Sequence, residues 1–215
     1  MNILVFDTST DLLAVGVKKS GDHMITKVES GFRHSETLLP SIESCLSEAS
    51  VNLRDIDLIA CARGPGSFTG LRIGISTAKG LSLALGLPWV GVPTLDCMAF
   101  GWEKPGQSVV PVLDARKNRV YSALYRGGQR MGDYLDVSQA TLLAALDGED
   151  EVSFVGPDAD LFSDYALERP GFRVEEDDPE KRLLGLATLA EIQFREKGAA
   201  GEMEGPLYLR EPEIG

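Results

Sequence analysis

Histidine and cysteine are scarce in this sequence. Its 215 residues include two histidines, His23 and His34, and three cysteines, Cys45, Cys61 and Cys97. The histidines share no metal-ligand spacing, and the cysteines are odd in number, far apart and surrounded by apolar residues. Scattered cysteines of this kind are typical of buried thiols in a reducing compartment. We therefore expect neither a disulfide framework nor a metal centre.

Positive charge and long apolar runs are also in short supply. Lys and Arg number 21 against 33 Asp and Glu, so the net charge is -12. This balance argues against stable nucleic-acid binding by this chain alone, because phosphate neutralisation needs clustered Lys and Arg. The longest apolar stretch, residues 81–92, is too short to span a bilayer and contains Pro88. Asp7 interrupts the N-terminal apolar run and no basic segment precedes it, so we expect a cytoplasmic protein without a signal peptide or membrane contact.

What the sequence does contain is an apolar pattern that occurs twice. Residues 2–6 and 109–113 form apolar runs that end in Asp7 and Asp114, as in strands buried on both faces. In each half, two further strands, a helix, a strand and another helix follow. Two copies of this order predict an α/β protein with a duplicated RNase H-like fold. Each lobe is a small βββαβα unit with a mixed sheet, as in the actin, hexokinase and Hsp70 group.

The boundary between the two lobes is predicted in the segment at residues 103–108, which contains Pro and Gly. The N-terminal lobe then comprises residues 1–104, and a reduced C-terminal lobe comprises residues 107–215. A last helix is predicted at residues 181–197, and we expect that it can pack back on the N-terminal lobe.

Two helices of the first lobe are unusually apolar. In the helix at residues 37–49, Pro40 is acceptable only in the first turn, which favours Thr37 over Ser35 as the N-cap. The helix at residues 70–85 carries small residues four apart in two ridges. One ridge is Gly70, Gly74, Ala78 and Ser82, and the other is Ser76, Gly80 and Ala84.

Small residues let helices approach closely. A helix with few charged residues, such as the one at residues 70–85, is also poorly suited to a solvent-facing position. An ordinary intramolecular core would also explain both helices. We favour a four-helix interface with a second chain, in which each chain supplies two helices. The residues assigned to this interface are Leu38, Leu39, Ile42, Leu46, Gly70, Leu71, Arg72, Gly74, Ile75, Ala78, Lys79 and Ser82.

A glycine-rich turn at residues 64–70 precedes the second of these helices. It lacks the Gly-Lys-Ser/Thr ending of a phosphate-binding P-loop. Its glycine spacing is also one residue longer than the Gly-x-Gly-x-x-Gly pattern of dinucleotide-binding folds. Ser67, Thr69 and the N–H groups at the helix start leave anion binding open. A tight turn with close helix packing is the favoured interpretation.

Five short blocks of the sequence are distinctive when taken together. The blocks are Phe-Asp-Thr-Ser-Thr at 6–10, Arg-His-Ser-Glu at 33–36, Gly-Pro-Gly-Ser-Phe-Thr-Gly-Leu-Arg at 64–72, Pro-Val-Leu-Asp-Ala-Arg at 111–116 and Pro-Leu-Tyr-Leu-Arg at 206–210. In this order they resemble the bacterial TsaB (YeaZ) family over essentially the whole chain. The glycine block and the Asp-Ala-Arg block are the most specific of the five.

This resemblance implies a role in tRNA modification. The family takes part in forming N6-threonylcarbamoyladenosine at position 37 of tRNAs that read codons beginning with A. TsaB is the non-catalytic paralogue of the catalytic subunit TsaD. The resemblance therefore implies that this chain is an accessory subunit and not an enzyme. The expected partners are TsaD and, in a ternary assembly, the ATPase TsaE. When the chain is alone, the same surface is expected to form a homodimer.

The sites of a catalytic relative look incomplete in this chain. TsaD-type proteins carry a His-x-x-x-His metal pair where this sequence has Thr94 and Met98, and neither side chain suits that metal. The glycine-rich adenosine segment is reduced to residues 156–158. Asp7, Thr8, Ser9 and Asp114 are therefore expected to be vestigial nucleotide-site turns. The chain alone is expected to hold no cofactor. Whether ATP or ADP binds at the junction with TsaD is left open by the sequence.

Other interpretations of the same residues remain open. Asp7, with Asp114, could position a metal–nucleotide water in a free-standing ATP-dependent enzyme, although local capping of N–H groups is favoured. His34 could act as a base, but a hydrogen bond at a helix entry is favoured. A peptidase has little support, since neither His23 nor His34 lies in a recognisable protease signature.

Overall fold

The computed structural model describes residues 1–19, 24–31 and 33–210. Gly21 and Asp22, which predict a turn between two strands, and His23 lie outside the described residues. The chain divides into two compact units. The first comprises Met1–Cys97 with Pro179–Leu207, and the second comprises Met98–Asp178 with the described residues after Leu207.

The first unit is a five-stranded mixed sheet covered by helices on both faces. Its strands run in the order β3-β2-β1-β4-β5; the first three are antiparallel, and β4 and β5 are parallel to β1. They are β1 (Ile3–Asp7), β2 (Leu12–Lys18), β3 (Met24–Ser30), β4 (Leu58–Ala62) and β5 (Trp89–Val92). The helices are α1 (His34–Ala49), α2 (Phe68–Leu85), the short α3 (Thr94–Ala99) and α6 (Pro179–Lys197).

Two apolar clusters hold this unit together. On one face of the sheet, α1 and α2 pack on alternate strand residues such as Leu4, Phe6 and Ile59. On the other face, α6 packs on the intervening residues, among them Ile3 and Val5. All five residues of β1 are buried, as expected for a strand covered on both faces.

The second unit repeats the strand order of the first. Its sheet runs β10-β7-β6-β11-β12, again with three antiparallel and then two parallel strands. The strands are β6 (Ser108–Asp114), β7 (Arg119–Ser122), β10 (Leu135–Ser138), β11 (Val152–Val155) and β12 (Phe172–Val174), with a small hairpin of β8 (Tyr125–Arg126) and β9 (Gln129–Arg130). The helices are α4 (Gln139–Ala145) and α5 (Ser163–Glu168). The predicted duplicated RNase H-like fold is therefore confirmed.

The start of α1 differs from the prediction. The helix begins at His34 without a side-chain cap, and Pro40 lies inside it. Neither Ser35 nor Thr37 is therefore the N-cap. Burial of His34 and Leu38 anchors an extra turn before the proline. Pro40 cannot donate to the Glu36 carbonyl, but both residues are exposed, so water can satisfy that oxygen.

The apolar pattern of residues 120–125 predicts one strand, but in the structure this strand is interrupted. β7 and β8 pair with β6 in one continuous register, through Val112↔Ser122 and Val109↔Tyr125. The break falls opposite Pro111, which has no N–H to contribute to a ladder. Within the described ranges, no helix is long and apolar enough to cross a membrane.

Candidate functional site

The turn after β1 is polar and buried, and it forms hydrogen bonds with the start of α2. Asp7 Oδ1 accepts a hydrogen bond from the Ser9 N–H at 2.8 Å, so Asp7 caps a local N–H group. Thr8 Oγ1 donates to the Gly70 carbonyl oxygen at 2.8 Å. The Ser67 N–H donates to the Ser9 carbonyl oxygen at 2.7 Å. These bonds fix the start of α2 against the end of β1.

The glycine block serves the same contact. A β-carbon at Gly66 would lie 2.3 Å from the Ser9 carbonyl oxygen, and one at Gly70 would lie 1.9 Å from the Thr8 carbonyl oxygen. At Gly74 it would lie 2.4 Å from Thr8 Oγ1. Each of these distances excludes any larger residue unless the backbone or Thr8 moves. The block therefore brings the backbone of α2 against the turn after β1, which is the packing interpretation favoured from the sequence.

A buried ion pair lies at the same turn. Arg182 of α6 places Nε 2.9 Å from Asp7 Oδ2, and the two side chains are only 2% and 1% exposed. His34 lies near the next part of the turn, with Nε2 2.8 Å from the Thr10 carbonyl oxygen. Because a carbonyl only accepts, Nε2 carries the proton, and His34 makes the favoured hydrogen bond at a helix entry.

Most residues assigned to a partner surface are covered within the first unit. Gly70 and Gly74 face Thr8, and six apolar members of the set are at most 7% exposed. These six are Leu38, Ile42, Leu46, Leu71, Ile75 and Ala78. The inner face of α1 and α2 is therefore part of an intramolecular core. Any partner surface on these helices has to use the opposite face.

The outer face of these helices is accessible and partly apolar. Leu83 is 88% exposed and Leu39 is 57% exposed. The second small-residue ridge of α2, which comprises Ser76, Gly80 and Ala84, is exposed as well. We call the outer sides of α1 and α2 the outer helix face and define it by Leu39, Arg72, Ser76, Gly80, Leu83 and Ala84.

Two predicted interface residues lie at the border of the outer helix face. Lys79 is half-buried, and its Nζ donates to the Glu202 carbonyl oxygen at 3.0 Å. Ser82 is also half-buried and donates to the Leu87 carbonyl oxygen. Arg72 is exposed and lies over the Phe68 ring, 3.8 Å from its centroid.

Thr94 and Met98, which stand at the positions of the family's metal pair, are both buried. Thr94 is fully buried, and its hydroxyl accepts a hydrogen bond from the Gly64 N–H at 3.1 Å. Met98 is 3% exposed. Residues 1–19, 24–31 and 33–210 contain no group of three or more His, Cys, Asp or Glu side chains that could hold a metal ion.

The three cysteines are free and buried. Burial raises the pKa of the Cys45 thiol to about 11. Burial also raises the pKa values of Cys61 and Cys97, to which the nearby Asp7 charge adds. All three thiols are therefore protonated at neutral pH and unsuited to act as nucleophiles or metal ligands.

The turn after β6 in the second unit is also locally satisfied. Asp114 Oδ1 accepts from the Arg116 N–H at 2.7 Å, and Asp114 Oδ2 lies 3.1 Å from the same residue's guanidinium. The Asp114 N–H donates to Asp158 Oδ2 at 2.8 Å. Asp158 belongs to the segment predicted as a reduced adenosine site, and here it fixes the end of β6.

Comparison with known proteins decides the family. The TsaB threonylcarbamoyladenosine biosynthesis protein of Escherichia coli is 41% identical over 128 residues. The structure of YeaZ from Pseudomonas aeruginosa superposes with a TM-score of 0.79 at 27% identity, covering 97% of this chain and 99% of that one. The family model of TsaD, tRNA N6-adenosine threonylcarbamoyltransferase, matches residues 29–180, more than half of the chain. The chain belongs to the TsaD family, in its TsaB (YeaZ) branch.

Coverage and distant fold relatives set the limits of this comparison. The alignment with the E. coli TsaB protein spans 59% of this chain and 55% of that relative. A 2-hydroxyisocaproyl-CoA dehydratase activator from Clostridium difficile, solved with bound ADPNP, superposes with a TM-score of 0.60 at 10% identity and covers 95% of this chain and all of the activator. That likeness shows that this chain and the activator share a fold, and it shows the fold alone.

Sequence reasoning missed two charged contacts of this TsaB-branch chain. Arg182 lies within a helix of mixed polarity, and nothing in its spacing indicates a partner 175 positions earlier. In the second unit, Asp136 accepts from Arg119 Nε at 2.8 Å and from Arg210 Nε at 3.0 Å. Arg210 belongs to a family block, which singled it out without indicating its partner.

Proposed function

We propose that this chain is a non-catalytic accessory subunit that binds and activates a TsaD-type threonylcarbamoyl transferase. The product of the assembly would be N6-threonylcarbamoyladenosine at position 37 of tRNAs that read codons beginning with A. The name of the E. coli relative and the description of the matched family support this pathway. The acidic balance of the chain, with a net charge of -12, supports a subunit that leaves tRNA binding to its partner.

The outer helix face carries this proposal. Leu83 is 88% exposed beside a ridge of small residues, and a partner that covers it would remove apolar surface from water. Gly80 and Ala84 border Leu83 on the same helix, and they let a partner helix approach closely. The adjacent side of α1 adds Leu39. Two helices from each chain would complete a four-helix interface.

The residues at the former catalytic positions support the accessory role. A TsaD-type metal pair needs two imidazoles, and this chain has Thr94 and Met98 there. The hydroxyl of Thr94 is already engaged by the Gly64 N–H. The chemistry is therefore assigned to the partner, and this chain contributes the surface that holds the partner in its active form.

The wider assembly follows from the same surface. We propose that the outer helix face forms a homodimer when the chain is alone and exchanges that contact for TsaD when TsaD is present. The TsaB–TsaD pair would then recruit TsaE. Any ATP or ADP would lie at the junction with TsaD, since Asp7 and Asp114 each already accept a hydrogen bond from a backbone N–H of their own turn.

A reconstituted reaction tests this function. Purified TsaD-type transferase, TsaE, tRNA and a threonylcarbamoyl donor are incubated with and without this chain, and the modified adenosine is quantified by mass spectrometry. We expect product only when both the transferase and this chain are present. Product formed by this chain with Mg-ATP but without the transferase would contradict the proposal and favour a free-standing ATP-dependent enzyme.

A further inference from the structure

In nucleotide-binding proteins of the actin-like group, the turn that ends the first strand lies beside a nucleotide and its divalent cation. The dehydratase activator of the same fold was solved with bound ADPNP. In such a site, an aspartate at the turn would face the cation, directly or through water. In the first unit, Asp7 is the aspartate at this turn. The contacts of Asp7 therefore show whether the turn can accept a metal–nucleotide complex.

The surroundings of Asp7 do not fit a metal–nucleotide complex. Asp7 Oδ1 is occupied by the Ser9 N–H at 2.8 Å, and Asp7 Oδ2 lies 2.9 Å from Arg182 Nε. The carboxylate is only 1% exposed. A cation could reach Asp7 only after the guanidinium of Arg182 had left.

The space beside the turn is filled as well. The backbone at Gly66, and that of α2 at Gly70 and Gly74, lies against Ser9 and Thr8 with no room for even one added carbon atom. A phosphate group therefore cannot lie between the glycine block and this turn while α2 keeps its place. The positive charge beside Asp7 and the space between the turn and α2 are thus both supplied by the chain itself.

We propose that Arg182 replaces the divalent cation as the charge partner of Asp7, so that the first unit excludes a metal–nucleotide complex at this turn. The guanidinium supplies positive charge in a buried position where a carboxylate alone would be strongly unfavourable. Because Arg182 lies on α6 and Asp7 ends β1, the pair also fastens the last helix of the chain to the central strand of the sheet.

Energetics makes this role testable. A buried ion pair costs desolvation, so removing both charges together costs far less stability than removing one of them. Removing one charge leaves the other buried without compensation and is strongly destabilising. If Arg182 stands in for a cation, an added divalent cation should partly restore a variant that keeps Asp7 but has lost Arg182.

Thermal unfolding of the full chain provides the experiment. The wild type, Arg182→Gln, Asp7→Asn and the Asp7→Asn/Arg182→Gln double variant are each measured alone, with Mn²⁺ and with Mg²⁺–ADP. We expect Arg182→Gln to lower the Tm by about 10 °C and Mn²⁺ to recover part of that loss. The wild-type Tm should respond to neither probe. The double variant should unfold within about 4 °C of the wild type and ignore Mn²⁺.

Several results would overturn the proposal. One is a rise of the wild-type Tm with Mn²⁺ or Mg²⁺–ADP that Asp7→Asn abolishes, because Asp7 would then still bind the cation. Another is an Arg182→Gln protein that is as stable as the wild type or that folds and ignores Mn²⁺. If the single variants do not fold, the double variant decides: recovery of the wild-type Tm supports the proposal, and failure to fold contradicts it. None of these readouts depends on TsaD, so they are independent of the proposed function.

Discussion

At the scale of single residues, the glycines of α2 have different tasks although they look alike in the sequence. Gly70 lies against the Thr8 backbone, where a β-carbon would be 1.9 Å from the carbonyl oxygen. Gly80 lies ten residues later in the same helix, is exposed and has no atom within 4 Å of a β-carbon position. The first glycine is required by packing, whereas the second is open to a partner.

These two glycines give a matched pair of substitutions. Gly70→Ala should lower the free energy of unfolding by about 2 kcal/mol or more, because the added methyl group overlaps a backbone oxygen. Gly80→Ala should raise it by up to about 1 kcal/mol, because alanine is the better helix former and nothing opposes it. Urea unfolding followed by circular dichroism measures both. A Gly70→Ala protein as stable as the wild type would contradict the packing assigned to the glycine block.

Residue roles were the hardest part of the molecule to predict. Helical spacing showed that Gly70, Gly74 and Ala78 share one side of α2, but it could not say what that side touches. The answer depends on Thr8, more than sixty positions earlier, and on the way β1 and α2 meet. The pair of Asp7 and Arg182 is separated by a still longer stretch of chain. Contacts of this kind are set by the tertiary fold and leave no local pattern.

At the scale of elements, α1 shows how tertiary contacts override a local rule. Pro40 normally marks the first turn of a helix, yet α1 begins at His34 and continues through the proline. The buried side chains of His34 and Leu38 offset the lost backbone hydrogen bond.

We therefore expect that Pro40 still lowers the free energy of unfolding. Pro40→Ala should raise the free energy of unfolding by about 1–3 kcal/mol, because alanine restores the N–H that can donate to the Glu36 carbonyl. Pro40 is exposed, so the change removes no core packing. The midpoint of urea unfolding checks this expectation. A lower midpoint for Pro40→Ala would show that the proline ring itself supports the start of α1.

The contacts of Asp136, which lies on β10, make the stability of the second unit depend on pH. Burial acts to raise the pKa of Asp136, but hydrogen bonds and positive charge from Arg210 and Arg119 outweigh it, and the pKa is lowered. Asp136 therefore stabilises the fold above the ordinary aspartate pKa of about 3.9, and this contribution is lost as the pH falls through the lowered value.

The variant Asp136→Asn tests that dependence. It should be less stable than the wild type at neutral pH, because Arg119 and Arg210 lose the carboxylate that joins β7, β10 and the segment after Leu207. The difference in urea midpoint between the two proteins should shrink as the pH is lowered from 6 towards about 3. A difference that stays constant over this range would exclude ionised Asp136 as its source.

At the scale of the whole molecule, the repeated order of strands and helices was sufficient to predict the fold. Apolar strands ending in Asp7 and Asp114 mark equivalent places in two sheets with the same strand order. This worked because buried parallel strands and long helices have strong hydrophobic patterns. The short β9 and β12 were missed, since two or three residues carry too little pattern to recognise, and the start of β8 was predicted as the end of one strand with β7.

The central claim at this scale is that the outer helix face binds a partner. Leu83 on this face is 88% exposed, and Leu167 of α5 in the second unit is 85% exposed, so the two residues form a matched pair. Leu83→Glu should place a charge in the proposed interface and weaken binding at least a hundredfold. Leu167→Glu adds the same charge to a surface outside the proposed interface and should leave binding unchanged.

The most direct measurement is the affinity of purified TsaD-type transferase for the wild type, Leu83→Glu and Leu167→Glu, determined by analytical ultracentrifugation. We predict a heterodimer with the wild type and with Leu167→Glu, and free subunits with Leu83→Glu at the same concentrations. Circular dichroism establishes that all three proteins are folded. Equal affinity of Leu83→Glu and the wild type, or a loss of binding confined to Leu167→Glu, would contradict the account.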